Sequence, residues 1–203
     1  MTDCRKQRWN ERYAKPDYHF GTEPNEFLRS QAHRLRPGMK ALAVADGEGR
    51  NGVWLAEQGL DVHTIDFAPN AIAKARALAA QRGMTLRIEE GDIHAWNWPS
   101  EVYDVIVAIF IQFSPPAERT KVFEGMKKAL KKGGLLLMQG YRPEQTAHDN
   151  GGPKDVELLY TRALLERAFG DFASLDIKEH DSVLHEGARH IGMSAVIDLV
   201  AQK

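Results

Sequence analysis

The chain has 203 residues, 43% of them hydrophobic, and a formal net charge of -1 at pH 7, which predicts one folded domain with a full hydrophobic core. The balanced charge, without a block of basic residues, argues against a nucleic-acid or membrane-surface partner. No apolar run approaches the ~20 residues of a membrane-spanning helix, the first residues are too polar for a secretory signal, and the single cysteine, Cys4, excludes an internal disulfide, so we expect a cytoplasmic protein.

The N-terminal stretch is predicted to form an arm with aromatic side chains, followed by a helix. Trp9 and Tyr13 lie in an otherwise polar segment that cannot form a core by itself. We therefore expect the arm to fold over another part of the chain. Thr22 is a suitable N-cap for a helix over residues 23–34, with Pro24 just inside its start.

Residues 40–70 read as a strand, a glycine turn, a helix and a second strand. The turn contains three glycines, namely Gly47, Gly49 and Gly52. Glycine allows the backbone to approach a ligand closely, and the helix that begins near Arg50 directs its first N–H groups toward the same place. Asp66 ends the second strand, where its carboxylate can accept hydrogen bonds from both hydroxyls of a ribose. The pattern predicts a binding site for a nucleoside cofactor.

The charges on the turn help to decide which cofactor fits. The GxGxxG spacing with a later acid also fits a dinucleotide such as NAD. A pyrophosphate on this loop would face Asp46 and Glu48 with only Arg50 in compensation, and like charges about 4 Å apart repel by roughly 1 to 4 kcal/mol. S-adenosylmethionine has a sulfonium, an ammonium and no phosphate, so the acidic loop favours it. Arg50 or a helix N–H can take its carboxylate.

Strand and helix continue to alternate after Asp66. The predicted elements are helix 68–82, strand 84–90, strand 103–110, helix 117–131 and strand 135–140. Such alternation is typical of a parallel, doubly wound sheet, which binds ligands at the carboxyl ends of its strands. Four residues are expected at those ends, namely Gly47, Asp66, Asp92 and Ala108.

Two of the loops at these strand ends allow more than one interpretation. Asp92 could accept a hydrogen bond from an adenine amino group while Ile93 packs on the ring, although a turn or N-cap role is the commoner use of such an aspartate. Phe113, which follows the fourth strand, could shape an acceptor pocket or simply pack in the core.

The C-terminal third combines a long polar loop with two strands. Residues 141–160 contain Arg142, and a loop of this length is usually functional or mobile, so it could cover the site as a lid. Thr161 is predicted to cap a helix that ends near residue 169. Residues 172–180 and 191–200 read as an antiparallel pair at the edge of the sheet, with a reversed last strand.

Several segments carry a resemblance to a known family. They are WNERYAKPDYHFGTEPNEFL, ADGEGRNGVWLAEQGLDVHTIDFAPNAIAKARALA, GDIHAWNW, YDVIVAIFIQFSPPAERTKVFEGMKKALKKGGLLLMQGY, GGPKDVELLYT and HEGARHIGMSAVIDLVAQK. Together they cover nearly the whole chain, which resembles the class I S-adenosylmethionine-dependent methyltransferases and, more narrowly, the tellurite-resistance (TehB-like) methyltransferases.

The resemblance implies an α/β fold, a doubly wound three-layer sandwich whose mostly parallel seven-stranded sheet has an antiparallel last strand. It also implies a single methyltransferase domain over residues 1–203. The arm and its helix (1–36) would lie over the cofactor site, residues 37–140 would form the cofactor-binding core, and residues 141–203 would supply the lid loop and the C-terminal hairpin.

The resemblance further implies S-adenosyl-L-methionine as the cofactor. The expected cofactor-binding residues are Phe20, Gly21, Asp46, Gly47, Gly49, Arg50, Asn51, Asp66, Phe67, Asp92, Ile93, Ala108 and Phe113. Families of this class usually have an acid at the position of Ala43, and a glycine and a cysteine where Ala45 and Asp46 stand. Asp46 could partly replace the missing acid.

The acceptor side is expected at the last hairpin and the long loop. In the tellurite-resistance relatives a His followed by Arg at this hairpin is thought to act in catalysis. His185 matches the first, but Glu186 stands where the Arg would be, and Arg189 is the nearest substitute. Arg142 and Arg189 are expected to attract an anionic acceptor. The histidines lack the close spacing of metal ligands, so no metal site is predicted.

These observations predict direct methyl transfer from S-adenosylmethionine to a small-molecule acceptor, such as tellurite, selenite or another soft nucleophile. We expect neither a nucleic-acid nor a membrane partner, and either a monomer or a homodimer. Two alternatives stay open: an NAD-dependent oxidoreductase, and a non-catalytic S-adenosylmethionine-binding regulatory domain.

Overall fold

The computed structural model describes residues 2–187 and 190–203. Backbone contacts divide the chain into two units. The first unit comprises Met1–Trp96 with Glu186–Arg189, and the second comprises Asn97–His185 with His190–Lys203. None of the helices in the described ranges is both long enough and apolar enough to span a membrane. The division into arm, core and hairpin stays a prediction.

Helices and strands alternate along most of the described chain. In order they are α1 (Thr2–Arg12), α2 (Glu26–Ser30), β1 (Lys40–Val44), α3 (Arg50–Glu57), β2 (Asp61–Asp66), α4 (Pro69–Gln81), β3 (Arg87–Glu90), β4 (Tyr103–Ile109), α5 (Pro116–Ala129), β5 (Leu130–Tyr141), α6 (Arg162–Phe169), β6 (Ser174–Glu186) and β7 (His190–Gln202). Short 3-10 turns occur at Ala32–Arg34, Pro143–Ala147 and Val156–Leu158.

The strands that the structure describes form one seven-stranded sheet in the order β3-β2-β1-β4-β5-β7-β6. In the first unit β1, β2 and β3 are parallel, with Val44 opposite Ile65. In the second unit β5 is parallel to β4 and antiparallel to β7, with Gly140 opposite Ile197. The sheet confirms the prediction of a mostly parallel, Rossmann-like fold with a reversed last strand.

Two glycines of the turn allow α3 to pack closely in the first unit. A Cβ on Gly49, whose φ is 89°, would lie 2.7 Å from the Ala75 Cβ of α4. A Cβ on Gly52 would lie 2.4 Å from the Thr64 Cγ2 of β2. These glycines are therefore needed for contact between α3 and its neighbours as well as for the turn itself.

The N-terminal arm packs on the start of α4. Trp9 stacks on Tyr13 with ring centroids 5.7 Å apart, and Tyr13 is buried against Ala68 and Ala71. The Asn70 backbone N–H donates to the Asn10 side chain at 2.8 Å, and the Asn70 amide donates back to the Asn10 carbonyl at 2.9 Å. The expectation that the arm folds over another part of the chain is confirmed.

The helix predicted over residues 23–34 is shorter than expected. The structure has α2 only at Glu26–Ser30, and its N-cap is Asn25, whose side chain accepts from the Leu28 N–H at 2.9 Å. Thr22 is therefore not the cap, and Pro24 lies before the helix. The Asn25 side chain satisfies the N–H three residues on, so the helix begins there and not earlier.

The fifth strand is longer than predicted because a bulge extends it backwards. Tyr103 pairs with Leu130, whereas Val105 pairs with Leu135, so β5 holds extra residues between the two pairs. Gly133 has a φ of 76°, which suits such an irregularity. Leu130 thus belongs to the sheet, and α5 ends at Ala129, not at residue 131.

A buried glutamine fixes the end of β5. The Gln112 amide donates to the Tyr141 carbonyl at 2.7 Å and to the Leu158 carbonyl at 3.2 Å. Its side-chain oxygen accepts from the Tyr141 N–H at 2.5 Å. The Gln112 side chain therefore joins its own segment to two others of the second unit through their backbones, and the sequence around Gln112 does not indicate these contacts.

The long loop after β5 is anchored by a second buried glutamine. The Gln145 side-chain oxygen accepts from the Ala195 N–H at 2.8 Å, and its amide donates to the Asn150 side chain at 2.9 Å and the Gly151 carbonyl at 3.1 Å. Leu159 is buried in a cluster with Tyr141. These contacts hold the loop in place, and its role as a lid stays a prediction.

The last two strands are longer than predicted, because most of the expected connection SVLHEGAR is itself strand. Asp198 of β7 links its two neighbours: it accepts from the Gln139 amide at 2.6 Å and lies 2.8 Å from the His180 ring nitrogen. Thr161 caps α6 as predicted, since its hydroxyl accepts from the Leu164 N–H at 3.2 Å.

Replacing Gln112 by alanine is expected to lower the free energy of unfolding by about 2 to 4 kcal/mol, because it removes three hydrogen bonds to buried backbone groups of Tyr141 and Leu158. Urea denaturation of the variant and the wild type measures the change. Gln81→Ala is the control, since Gln81 is exposed at the end of α4 and its effect should stay within about 0.5 kcal/mol. Equal losses for the two variants would contradict the role of Gln112.

Candidate functional site

The glycine turn after β1 begins with an unusual backbone conformation. Ala45 has a φ of 49°, in the left-handed region that costs a residue with a Cβ about 1 to 2 kcal/mol. A glycine at this position, as the resemblance expects, would avoid that cost. Gly47 follows with a φ of 60°, and Gly49 is the N-cap of α3.

Asp66 is held against this turn by backbone hydrogen bonds. Its side chain is buried, and it accepts from the Gly47 N–H at 2.9 Å and from the Ala68 N–H at 2.9 Å through different oxygens. The Phe67 backbone N–H also interacts with this carboxylate, which has about four acceptor positions on its two oxygens. Burial raises the pKa of Asp66 to about 6, although the backbone N–H groups lower it in part. The geometry fits a bidentate acceptor for two hydroxyls.

Asp46 caps the helix that follows the turn. Its carboxylate accepts from the Gly52 N–H at 3.0 Å. The side chain of the N-cap residue usually makes this contact, but the N-cap here is Gly49, which has no side chain. Burial, together with the charge of the neighbouring Asp66, raises the pKa of Asp46 to about 7, although the Gly52 N–H and Arg50 lower it in part. Asp46 lies in the predicted site, with a structural function at the helix start; its proposed contact with a cofactor stays a prediction.

Glu48 is paired, and it does not contribute an uncompensated charge to the turn. Its buried carboxylate lies 2.7 Å from the Lys74 ammonium of α4 and accepts from the His19 N–H at 2.7 Å. From the sequence alone, Glu48 is expected to face the ligand with its negative charge. Lys74 is 26 residues away, and nothing in the local pattern indicates the pairing.

Tyr13 of the arm lies against the turn, although it was not among the predicted cofactor-binding residues. A Cβ on Gly47 would lie 3.0 Å from the Tyr13 hydroxyl, so the ring is close to the turn. Burial, together with the charges of Asp66 and Glu48, raises the pKa of Tyr13 well above its usual value. The aromatic content of the arm was the signal that could have located it.

Arg50 belongs to a buried network. One guanidinium nitrogen, Nη2, lies 2.7 Å from a Glu186 carboxylate oxygen, and the Asn25 amide donates to the other oxygen at 2.7 Å. The Asn51 side chain accepts from the Asn25 N–H at 2.9 Å. The second terminal nitrogen of Arg50, Nη1, is buried and has no hydrogen-bond partner within residues 2–187 and 190–203.

Asp92 takes part in a turn with His94. The His94 N–H donates to the Asp92 carboxylate at 3.0 Å, and the His94 ring Nδ1 lies 2.7 Å from the same oxygen. The neighbouring Ile93 is buried. The structure thus contains the turn role that was one of the two interpretations, and the adenine role stays a prediction.

The predicted cofactor residues fall in both units. Those in the first unit are Phe20, Gly21, Asp46, Gly47, Gly49, Arg50, Asn51, Asp66, Phe67, Asp92 and Ile93. Within this unit, Phe20 lies edge-on to Tyr13 at 6.3 Å. Ala108 is buried in β4 and Phe113 is half-buried after it, and both belong to the second unit.

The predicted acceptor-side residues are described only in part. Arg142 forms ion pairs with Asp181 and with Glu144, the latter at 3.2 Å, so its positive charge is already compensated. His185 is exposed on β6, and Arg189 lies outside the described residues. Within those residues no three His, Cys, Asp or Glu side chains form a group that could hold a metal ion.

An aromatic cluster at the ends of β4 and β5 was not identified from sequence. Phe110 has a φ of 53°, and its ring lies 4.6 Å from both Tyr141 and His190. Positive φ values at a bulky residue store backbone strain, which is concentrated at functional sites in proteins. The cluster lies where strands of such a sheet present their carboxyl ends.

Comparison with known proteins identifies the central part of the chain. Residues 41–134 match the model of a family described as a methyltransferase domain. An uncharacterised protein of Mycobacterium tuberculosis is 32% identical over 103 residues, which are 50% of this chain and 37% of the relative. A protein-L-isoaspartate O-methyltransferase of Gloeobacter violaceus is 32% identical over 80 residues, 38% of each chain. The chain thus spans about two fifths of the curated relatives that it matches.

Solved structures show the same fold over most of the chain. TehB from Haemophilus influenzae has a TM-score of 0.74 at 20% identity. The match covers 98% of this chain and 66% of the TehB chain. A SAM-dependent methyltransferase from Methanosarcina mazei has a TM-score of 0.68 at 18% identity. The match covers 89% of this chain and 98% of the methyltransferase. TehB is one such neighbour among many. Residues 41–134 thus match a methyltransferase domain, and the sheet has the Rossmann-like fold of solved methyltransferase structures.

Proposed function

We propose that the protein transfers a methyl group from S-adenosylmethionine to a small-molecule acceptor. The observation that carries the proposal is the buried Asp66 carboxylate, which is fixed by the Gly47 and Ala68 N–H groups inside the matched domain. The two oxygens of an ionised carboxylate suit the two hydroxyls of a ribose. A cytoplasmic location and a monomeric or homodimeric state stay predictions.

The other groups of the site suit the remaining parts of the donor. The buried Arg50 Nη1, without a partner in the described ranges, can donate to the donor carboxylate. Asp92 and Ile93 would contact the adenine, and Tyr13 with Phe20 would exclude water from the turn. This division of roles accounts for a buried guanidinium nitrogen that is otherwise unsatisfied.

For methyl transfer the protein must mainly align the acceptor with the methyl group of the donor and exclude water. The bound sulfonium supplies a methyl group that is already activated. A soft anion such as tellurite or selenite needs no general base, whereas an oxygen or nitrogen acceptor must lose a proton. We propose an acceptor of the soft class, for which the resemblance to the tellurite-resistance methyltransferases is the support.

His185, Arg142 and Arg189 are the proposed acceptor-side residues. Arg142 would have to exchange Asp181 or Glu144 for the acceptor, since both carboxylates now pair with it. Arg189 would then attract the anion and His185 would contact it.

A non-catalytic donor-binding domain is the second candidate. Two features favour it: Ala43 replaces the usual acid, and Asp46, which could have compensated, caps α3 instead. Such a domain would bind the donor without transferring its methyl group.

The test is methyl transfer from methyl-labelled S-adenosylmethionine to tellurite, selenite, thiols and phenols. We expect labelled product with at least one soft acceptor. Binding of the donor without product from any acceptor would favour the non-catalytic domain, and absence of donor binding would overturn both candidates.

Removing the Asp66 carboxylate is expected to weaken S-adenosylhomocysteine binding about 100-fold in Asp66→Ala, because two hydrogen bonds to a charged group are worth roughly 3 kcal/mol or more together. Calorimetry measures the change. Asp61→Ala is the control, since Asp61 is exposed at the start of the same strand and should leave the affinity unchanged. Similar affinities for Asp66→Ala and Asp61→Ala would rule out the ribose role.

Donor-site affinity should also depend on pH. Only the ionised Asp66 carboxylate keeps both acceptor oxygens, and its pKa in the free protein is about 6. S-adenosylhomocysteine binding is therefore expected to be about 10-fold weaker at pH 5 than at pH 8, with a plateau above pH 7. Protonation at low pH competes with the ligand, so affinity falls as pH falls.

Two variants check the assignment of this pH dependence. Asp66→Asn should bind more weakly and show a flat profile from pH 5 to 8. Asp46→Asn should keep the inflection near pH 6, because the asparagine oxygen can still accept from the Gly52 N–H. A profile that stays unchanged in Asp66→Asn would assign the titration to another group.

A further inference from the structure

The end of the last hairpin reaches the donor turn through Glu186. Its carboxylate lies 2.7 Å from the Arg50 Nη2 and accepts from the Asn25 amide at 2.7 Å and the Glu26 N–H at 3.3 Å. The Arg50 and Glu186 side chains are 7% and 3% exposed. Glu186 stands where an arginine was expected from the family resemblance, and it belongs to the same unit as Arg50.

The backbone beside Glu186 is equally close to the arm. A Cβ on Gly187 would lie 2.3 Å from the Phe20 carbonyl carbon and 2.5 Å from the Gly21 nitrogen. Gly187 has a φ of 62°, which also favours glycine. The hairpin end is therefore fixed in place against the arm independently of the ion pair, so the position of the Glu186 carboxylate is well determined.

The contact between Glu186 and the Arg50 Nη2 also determines where the other terminal nitrogen of the guanidinium lies. The group is planar, so a fixed contact at Nη2 also fixes the direction of Nη1. Nη1 of Arg50 is the buried nitrogen without a partner in residues 2–187 and 190–203. The Glu186 carboxylate accepts from Arg50, from the Asn25 amide and from the Glu26 N–H, so the guanidinium is not its only partner.

We propose that Glu186 is a positioning residue for the donor: it orients the Arg50 guanidinium so that Nη1 binds the α-carboxylate of S-adenosylmethionine. This inference rests on the proposed donor-binding function and assigns to Glu186 the recognition of the amino-acid end of the donor. Glu186 itself does not touch the donor. It acts through Arg50, and its bond to Asn25 ties the arm to the same contact.

Two ligands that differ at the amino-acid end separate this role from a merely structural one. S-adenosylhomocysteine has the α-carboxylate, whereas 5′-methylthioadenosine shares the adenosine and thioether but lacks the amino-acid end. In Glu186→Gln, we expect calorimetry to show about a 10-fold or greater loss of S-adenosylhomocysteine affinity, and less than about a 3-fold change for methylthioadenosine. Glu23→Gln is the matched control, since Glu23 pairs with Arg82 at the surface and should change neither affinity.

A second variant covers the case in which Glu186→Gln does not fold, which thermal melting would reveal. Glu186→Asp keeps the charge but withdraws the carboxylate by one methylene, and it should show the same selective loss. Equal losses for both ligands, or no loss for either, would overturn the positioning role while leaving the methyltransferase function in place. Failure of the wild type to bind either ligand would instead overturn the proposed function and this inference with it.

Discussion

The buried carboxylate of Asp66 is the constraint around which the first unit is organised. An ionised carboxylate out of water needs hydrogen bonds, and the Gly47 and Ala68 N–H groups supply them. The turn can bring its N–H groups that close only because glycines leave room for Tyr13 and for the packing of α3. The same burial raises the pKa of Asp66 to about 6, which leaves the carboxylate ionised at neutral pH but sensitive to mild acid.

Two further buried carboxylates attach distant segments to this turn. Glu48 binds the arm through the His19 N–H and is neutralised by Lys74 of α4. Glu186 binds Arg50 and the start of α2 through Asn25. Each is paired, as buried charges must be, because an unpaired one would cost several kcal/mol. The acidic residues that suggested a cationic ligand therefore serve mainly to assemble the site.

The sequence predicted well what depends on neighbouring residues. The strand, turn and helix around Gly49, the cap at Thr161 and the reversed last strand follow from local patterns of apolar residues, glycines and caps, and all three are confirmed. The pairings of Glu48 with Lys74 and of Arg50 with Glu186 were not predictable, because the partners are 26 and 136 residues apart in the chain. The sequence thus indicated the candidate site residues from their residue types, whereas their partners could be identified only from the fold.

Calorimetry of the unmodified protein with S-adenosylhomocysteine and with NAD tests the central claim most directly. The turn with Asp66 should bind S-adenosylhomocysteine with micromolar affinity, about -8 kcal/mol, and give no heat with NAD. Binding of NAD without binding of S-adenosylhomocysteine would contradict the account, because it would mean that the turn accepts a pyrophosphate and that its charges have been assigned to the wrong ligand.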